Sequence, residues 1–345
     1  MKIRINRKIS ISNKNPPLVI AEISGNHCGK KSLFLKHIAS AAKNGADLIK
    51  IQTYEPKDIT LKNKNYKIKS GIWKSLNLWS IYKKACTPFS WHKEAFMLAK
   101  KIGTPIFSTP FSIRAVNLLE KLKNPIYKIS SFEITDYKLI KYIAAKKKPI
   151  IISTGNSEIN EIKKAVKIIN KYHNKLIILH CVSDYPTLEK NSQIIKINYL
   201  KKIFKKNLIG LSDHSNDIVS SLSATALGAV VIEKHYKINH KIKSPDSKFS
   251  ITPDQLKKLK KLTYRIHETL GKKITEKKVR KETIFFRRSI FASRDLKKGT
   301  RIKEKDLNVL RPKIGIGAEK IFKIIGKKLK RNIKRDASIF HKDLL

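Results

Sequence analysis

Residues 207–236 read NLIGLSDHSNDIVSSLSATALGAVVIEKHY and contain one strand–helix–strand unit. LIGLSDH and VVIEKH are short apolar runs that end in polar residues, and NDIVSSLSATALG between them has apolar residues at helical spacing. Short apolar runs that alternate with helical segments indicate buried parallel strands. The stretch therefore predicts one βα unit of a parallel sheet.

The same kind of run occurs eight times in the first two-thirds of the chain. The runs are PLVIAEIS, DLIKIQT, PIFSTP, IYKISSFE, PIIISTG, LIILHC, LIGLSDH and VVIEKH. Eight βα units predict an α/β protein with a (β/α)8 TIM barrel, in which the active site gathers at the carboxyl ends of the strands. We therefore expect an enzyme whose site residues are the polar groups that end these runs.

The chain of 345 residues is longer than one barrel of roughly 250 residues requires. We expect a barrel domain over residues 1–271, a charged linker over 272–283 and a small, mostly β domain over 284–345. The basic arm over residues 1–15 is expected to form a hairpin that closes the barrel bottom. An excursion from Glu55 to about Trp91 contains all three tryptophans, and its length predicts a lid or a substrate wall.

The formal net charge of +50 is a feature that many nucleic-acid-binding proteins share. Only 12 of the 76 basic residues are arginines, however, and the lysines are spread over the whole chain. Specific nucleic-acid binders rely on arginine and concentrate their charge on one element. The composition therefore favours a general lysine bias with no specific nucleic-acid partner.

Targeting signals are not evident in the sequence. No apolar run approaches the ~18 residues of a membrane span, and the amino terminus lacks the apolar core of a signal peptide. Three cysteines, Cys28, Cys86 and Cys181, are too few for a disulfide framework and match no zinc-binding spacing. We therefore expect a cytoplasmic protein with no membrane partner.

Two lysines, Lys50 and Lys128, end the second and fourth runs, which predicts an anion site. Hydroxyl groups follow other runs at Thr109, Ser131, Ser153 and Ser212. Such donors, converging in a barrel mouth, suit a small phosphorylated and carboxylated ligand. The alternative is that each lysine only pairs with a carboxylate, since a buried ammonium is costly alone. The candidate carboxylates are Glu22, Glu133 and Glu233.

Two histidines, His214 and His235, end the seventh and eighth runs and predict a metal site. Neighbouring imidazoles, with Glu22 across the barrel closure, form an N,N,O set typical of a divalent ion such as Mn²⁺ or Mg²⁺. Asp213 is expected to orient an imidazole N–H. Glu133 is expected near both lysines as a proton acceptor, a hydroxyl orienter or a counter-ion.

These residues also carry a resemblance to a known family. AEISGNH, LIKIQT, STPFS, YKISSFE, IISTG, GLSDHS and VIEKHY, followed by PDSKFS, resemble the sialic acid synthase family. The C-terminal segment resembles the antifreeze-like SAF domain (a β-clip fold) of the same family. The resemblance implies a transferase that condenses phosphoenolpyruvate with an N-acylated hexose to form a nine-carbon 2-keto acid.

Within that family, residues 73–92 (WKSLNLWSIYKKACTPFSWH), SSFEIT and PDSKFS resemble the pseudaminic acid synthase branch. Ser247 stands where the neuraminate and legionaminate branches usually have a histidine. The branch implies 2,4-diacetamido-2,4,6-trideoxy-L-altrose, as the open-chain aldehyde, for the hexose. Synthesis of neuraminate or legionaminate is the alternative within the family. Two readings outside it are a basic nucleic-acid-binding protein on a barrel scaffold and an aldolase with a Schiff-base lysine, Lys128 or Lys234.

The resemblance implies a role for each matched residue. His214 and His235 hold a divalent cation, Mn²⁺ in first place, that polarises the sugar aldehyde, and Glu22 and Glu133 manage protons and positive charge. The groups that bind phosphoenolpyruvate are Lys50, Thr109, Lys128, Ser131, Ser153 and Ser212. The groups that contact the sugar are Gln52, Tyr185 and Asp246.

The resemblance further implies a homodimer in which the SAF domain of one subunit covers the barrel mouth of the other. Arg311, in LRPKIG, then reaches an N-acyl group of the sugar. Two departures from the family pattern lie in the sugar-reading loops. Lys243 and Ser244 replace a glycine pair, and Lys313 replaces the glycine of an RPG turn.

Overall fold

The computed structural model describes residues 1–271 and 280–345 and divides the chain into two compact units, Met1–Lys272 and Lys273–Leu345. The first unit begins with two short antiparallel strands, β1 (Lys2–Arg4) and β2 (Ser10–Ser12). Ile3 and Ile11 face each other across this hairpin and pack with residues of the barrel interior. The expected closure of the barrel bottom is therefore present.

Eight parallel strands then form a closed barrel. Strands β3 to β9 follow one another in chain order, and β10 lies between β9 and β3. This arrangement confirms the predicted TIM barrel. The strands are β3 (Leu18–Glu22), β4 (Leu48–Thr53), β5 (Ile106–Pro110), β6 (Tyr127–Ile129), β7 (Ile150–Ser153), β8 (Leu176–Cys181), β9 (Leu208–Asp213) and β10 (Val231–His235).

Within residues 1–271, the described part of the first unit, nine α-helices join and surround the strands. Their first turns carry the expected signals: the Ser112 and Asp136 side chains accept backbone N–H groups at two helix starts, and Pro253 opens the last helix after Thr252. The helices are α1 (Lys31–Lys43), α2 (Leu78–Ala85), α3 (Phe89–Ile102), α4 (Ile113–Lys121), α5 (Tyr137–Ala144), α6 (Ile159–Asn170), α7 (Lys196–Ile203), α8 (Val219–Ala226) and α9 (Pro253–Leu270).

Alternation along the strands separates two apolar clusters. One fills the barrel and includes Ile20, Leu48, Phe107, Ile151, Leu208 and Val231. The other lies between barrel and helices and includes Val19, Ile49, Ile106, Ile152, Ile209 and Ile232. Because side chains point to opposite faces in turn, the same alternation decides which strand-end residues face the interior. They are Glu22, Lys50, Gln52, Thr109, Lys128, Ser153, Ser212, Glu233 and His235.

The barrel interior is tightly filled at Gly210 on β9. A methyl group at this position would lie 2.5 Å from the Val231 carbonyl oxygen and 2.7 Å from Leu179 Cδ2. Both distances are shorter than a carbon atom tolerates, so glycine allows β9 to approach its neighbours. In residues 1–271 and 280–345, no helix has the length and apolar character needed to cross a membrane.

The second unit has its own small apolar core, which includes Ile290, Ile302, Ile324, Leu329 and Ile339. Its elements are helix α10 (Lys281–Ile284), antiparallel strands β11 (Ser289–Ala292) and β12 (Leu307–Leu310), and helix α11 (Ile321–Ile324). Isolated β-bridges, such as Phe291 with Ser338, join the turns. Residues 272–279 of the predicted linker lie outside the described residues, and α10 occupies its last residues.

Candidate active site

Four charged side chains, Glu22, Lys50, Lys128 and Glu233, lie together inside the barrel and are almost completely buried. Lys50 Nζ lies 2.8 Å from Glu22 Oε2 and 3.3 Å from Glu233 Oε1. Lys128 Nζ lies 3.8 Å from the same Glu233 oxygen. We call these four residues the charged cluster, and it contains two positive and two negative groups when all are ionised.

The two carboxylates of the charged cluster have very different acidities. Burial raises the pKa of Glu22 to about 7, although nearby Lys50 opposes this effect. Burial also acts on Glu233, but the ammonium groups of Lys128 and Lys50 outweigh it and lower the pKa of Glu233 to about 2. Glu233 is therefore the permanent counter-ion of the lysines, whereas Glu22 can exchange a proton near neutral pH.

The hydroxyl groups predicted to bind an anion differ in their partners. Thr109 Oγ1 and Ser153 Oγ are buried and have no hydrogen-bond partner within the described parts of the chain. Ser131 Oγ accepts the Gly155 backbone N–H at 3.0 Å, and Ser212 Oγ donates to Glu233 Oε1 at 2.8 Å. Because buried polar groups rarely remain without partners, Thr109 and Ser153 are suited to a ligand.

The two histidines lie beside the charged cluster as a facing pair. Their ring centroids are 5.5 Å apart, and both rings are buried. His214 Nδ1 lies 2.8 Å from the Val182 carbonyl oxygen, to which it can only donate, so Nε2 is the nitrogen that can offer a lone pair to a cation. Burial lowers the pKa of His235 well below its usual value, so its imidazole is neutral. Burial alone would lower the pKa of His214 too, but the adjacent Cys181 raises it. A divalent cation bound by both imidazoles would therefore replace any proton on His214 Nε2.

Residues 1–271 and 280–345 contain no group of three or more His, Cys, Asp or Glu side chains placed to hold a metal ion. Glu22 pairs with Lys50, so of the expected N,N,O set the two imidazoles remain as candidate ligands. Asp213 also differs from expectation: it pairs with Lys234 at 2.9 Å and accepts the Ser221 hydroxyl at 2.6 Å. Asp213 and Lys234 face the helices because they occupy outward positions on β9 and β10.

A cavity next to the charged cluster, which we call the outer cavity, combines polar and apolar walls. Glu133 accepts the Ser130 hydroxyl there, and burial raises the pKa of Glu133. The charge of Lys128 opposes this effect of burial, so Glu133 lies within electrostatic reach of one of the two lysines, although it forms no ion pair with Lys50 or Lys128. The other predicted site residues that line this cavity are Gln52, Tyr185, His235 and Asp246.

Asp246 and Tyr185 also have structural contacts. Asp246 Oδ2 accepts the Gly25 backbone N–H at 2.9 Å, which ties the loop after β10 to the turn after β3. The ring of Tyr185 lies 4.3 Å from that of His214 and 5.0 Å from that of Phe249. Phe249 in turn lies 4.7 Å from the ring of His235. These aromatic rings shield the imidazole pair.

The excursion after β4 supplies one wall of the outer cavity, and its expected role as a lid or a substrate wall stays a prediction. Trp73 lines the cavity, and its indole N–H donates to the Pro245 carbonyl oxygen at 3.1 Å. Trp91, at the start of α3, instead packs against Phe34 in the apolar cluster between the barrel and the helices. Arg311 follows β12 in the second unit, where it is exposed.

The sequence analysis named Glu233 only as one of three carboxylates that could pair with the lysines, and the structure shows it in contact with Lys50, Lys128 and Ser212. The available signal was strand alternation: Glu233 is two residues before His235 and therefore shares its interior face. Strand alternation also places Lys234 on the face of β10 that points away from the barrel interior. Phe249 was missed, because an apolar residue in a loop has no pattern that marks it as part of a site.

Comparison with known proteins agrees with this geometry. Residues 37–275 match the NeuB family, and residues 287–345 match the SAF domain. The chain is 39% identical to pseudaminic acid synthase of Campylobacter jejuni over 92% of this chain and 93% of that protein. It is 36% identical to N,N'-diacetyllegionaminic acid synthase of the same species, over 93% and 98% of the two chains.

Among solved structures, the chain is similar to N-acetylneuraminic acid synthetase from Leptospira borgpetersenii. The TM-score is 0.74 with 31% identity, and the match covers 82% of this chain and 94% of that one. The family match spans more than half of the chain and includes the strands that carry Lys50, Lys128 and Glu233. The predicted family is thereby confirmed: the chain belongs to the NeuB family of sialic acid synthases and carries a C-terminal SAF domain.

Proposed function

We propose that this protein is a pseudaminic acid synthase. It condenses phosphoenolpyruvate with the open-chain aldehyde of 2,4-diacetamido-2,4,6-trideoxy-L-altrose, and water is consumed as pseudaminate and phosphate form. The observation that carries the proposal is the buried charged cluster beside two hydroxyl groups without partners. Similarity to the pseudaminic acid synthase of C. jejuni supports the choice of sugar.

Phosphoenolpyruvate binds with its phosphate and carboxylate toward Lys50 and Lys128. In the protein alone, Glu233 lies beside both ammonium groups and holds them in place, so an arriving anion meets positive donors that are already positioned. Thr109 and Ser153 donate their hydroxyl groups to the anion, and Ser131 and Ser212 lie beside them. A preorganised set of donors needs little rearrangement when the anion binds.

The reaction requires proton transfers at two places. C3 of phosphoenolpyruvate attacks the aldehyde carbon, the aldehyde oxygen takes a proton, and C2 becomes positively charged. Water then adds to C2 and loses a proton, and phosphate leaves by cleavage of the C2–O bond. Glu22, with a pKa of about 7, is suited to stabilise positive charge at C2 and to accept that proton. Glu133 lines the sugar side of the site and orients hydroxyl groups there.

His214 and His235 are the residues that would hold a divalent cation, with Mn²⁺ as the first candidate. When bound, such a cation supplies Lewis-acid polarisation of the sugar aldehyde. The protein contributes the fixed tautomer of His214, through Val182, and an aromatic enclosure from Tyr185 and Phe249 that limits access of water.

The partner in the assembly is a second copy of the same chain. We propose a homodimer in which the SAF domain of one subunit covers the barrel mouth of the other, and Arg311 then reaches an N-acyl group of the sugar. The exposure of Arg311 in its own unit is compatible with this role. We place the enzyme in the cytoplasm, where phosphoenolpyruvate is available and where Cys28, Cys86 and Cys181 stay reduced.

The deciding experiment supplies the purified protein with phosphoenolpyruvate, Mn²⁺ and one hexose at a time. The hexoses are the precursors of pseudaminate, legionaminate and neuraminate, and phosphate release and product mass are measured. We expect the highest kcat/KM with the altrose derivative. A higher value with the legionaminate precursor, whose synthase is 36% identical to this chain, would move the assignment to that branch.

Two further measurements test the alternative functions, a Schiff-base aldolase and a nucleic-acid-binding protein. Borohydride treatment with substrate traps a Schiff base if Lys128 acts as an aldolase lysine, whereas we expect no trapped adduct. Binding of DNA or RNA is expected to disappear at about 0.2 M salt, because it rests on dispersed lysines. Binding that survives this salt concentration would favour a specific nucleic-acid partner.

A further inference from the structure

The outer cavity has one side that is poor in polar groups. Ile68, Leu78 and Ile81 line it there, and all three come from the excursion that follows β4. The same excursion brings two side-chain donors to the cavity, Trp73 and Tyr82, and the indole N–H of Trp73 is already bonded to the Pro245 carbonyl oxygen. A ligand group next to these three aliphatic side chains therefore finds few hydrogen-bond partners.

The excursion holds these side chains in a defined structure. Its backbone forms a small hairpin, in which Ile68 N–H donates to Leu76 O and Leu78 N–H donates to Tyr66 O, both at 2.9 Å. Asn77 then begins α2, because its side chain accepts the Ser80 backbone N–H. The aliphatic wall of Ile68, Leu78 and Ile81, which we call the apolar wall, is thus fixed before a substrate arrives.

The orientation of the hexose follows from the proposed reaction. Its aldehyde carbon must meet C3 of phosphoenolpyruvate at the charged cluster, near the strand ends at Gln52 and His235. The opposite end of the six-carbon chain then extends into the outer cavity. A terminal hydroxyl or phosphate group buried against aliphatic side chains loses its hydrogen bonds to water, whereas a methyl group loses none.

We propose that the apolar wall selects hexoses whose carbon 6 is a methyl group and disfavours 6-hydroxylated and 6-phosphorylated hexoses. This inference rests on the proposed function and adds to it the residues that read one end of the sugar. An apolar pocket discriminates against an added hydroxyl by roughly 100-fold in kcat/KM. We expect a preference of that order for the 6-deoxy sugar over its 6-hydroxy analogue of the same configuration.

The test compares wild type, Ile81→Thr and a matched control, Leu76→Thr. Leu76 belongs to the same hairpin but is half exposed and does not line the outer cavity. The new hydroxyl of Ile81→Thr gives the 6-hydroxy group a partner, so the preference should fall about tenfold, a typical effect of one hydrogen bond. Leu76→Thr should leave the preference unchanged, and the KM for phosphoenolpyruvate should stay constant in both variants.

Leu78→Thr serves as a second wall variant if Ile81→Thr does not fold. An N-hydroxyacetyl analogue with a 6-methyl group separates carbon 6 from the acyl methyl groups. If the variants change selectivity for the acyl group instead of carbon 6, the inference is wrong. Pseudaminate formation with equal kcat/KM for both hexoses overturns the inference alone, whereas absence of product with every hexose overturns the proposed function as well.

Discussion

The Lys50 ammonium lies 3.3 Å from Glu233 Oε1 inside the barrel, and both side chains are almost completely buried. The same carboxylate also serves Lys128 and Ser212. A buried ammonium needs a negative charge beside it. A lysine that binds phosphate must also keep its positive charge accessible to the ligand. Glu233 satisfies the first requirement while the anion is absent.

Glu233→Gln should destabilise the protein without ligand by about 3–5 kcal/mol, since it leaves buried positive charge uncompensated. Phosphoenolpyruvate should restore part of this loss, so the ligand should raise the Tm of the variant more than that of wild type. Glu120→Gln is a control, because its pair with Lys148 is partly exposed and contributes about 0–1 kcal/mol. An equal ligand-induced shift in both variants would contradict the charge-balancing role.

The stability that Glu233 contributes should also depend on pH. Its pKa is lowered from 4.5 to about 2 in the folded protein, so ionised Glu233 favours folding above pH 4.5. This contribution is lost as the pH falls toward 2. The difference in Tm between wild type and Glu233→Gln, measured by calorimetry, should therefore narrow below pH 4.5.

Thr109→Val should raise the KM for phosphoenolpyruvate by about 10- to 100-fold, because a hydrogen bond to a charged group contributes roughly 1.5–3 kcal/mol. Protein stability should not fall, since Thr109 Oγ1 has no partner in the described parts of the chain. The neighbouring Ser108→Ala is the matched control. Ser108 faces outward and shares a hydrogen bond with Thr53, so this change should lower the Tm and leave the KM unchanged.

Activity should rise as the pH passes through about 7, because Glu22 loses its proton there and can then stabilise positive charge at C2. Glu22→Gln should abolish this rise as well as most of the activity. The check is a pH profile of kcat for both proteins under saturating substrates. A rise near pH 7 that persists in the variant would assign it to another group.

His235→Ala should lose bound metal after dialysis against Mn²⁺, which elemental analysis detects independently of turnover. Activity should fall with it. His180→Asn is the control: His180 faces outward and bonds to the Ser192 carbonyl oxygen, so its loss should lower stability and leave the metal content intact. Full metal content in His235→Ala would exclude His235 as a ligand.

The proposed exchange of SAF domains is tested by mixing two inactive variants, Glu22→Gln and Arg311→Ala. In a mixed dimer, the barrel of the Arg311→Ala subunit meets the intact SAF domain of the other subunit, which rebuilds one complete site. Partial recovery of activity after mixing is expected. If Arg311 acts within its own subunit, mixing should recover nothing.

The sequence by itself determined the barrel and the identity of most polar residues at its strand ends. Eight apolar runs such as LIGLSDH predict parallel strands because a strand buried on both faces must be apolar throughout, and this local requirement is visible without tertiary structure. The polar ends of the runs, including Lys50, Lys128, His214 and His235, were recognisable for the same reason. The small C-terminal unit was visible from its change of pattern.

Only the tertiary structure decided which of these groups share an environment. Lys50 and Glu233 are 183 positions apart in the numbering and meet because β10 closes the barrel beside β3 and β4 lies next to β3. Asp213 pairs with Lys234 and not with an imidazole, since both occupy outward positions on neighbouring strands. Acidity depends on burial and on neighbouring charge, so the contrast between Glu22 and Glu233 arises only after the strands have assembled.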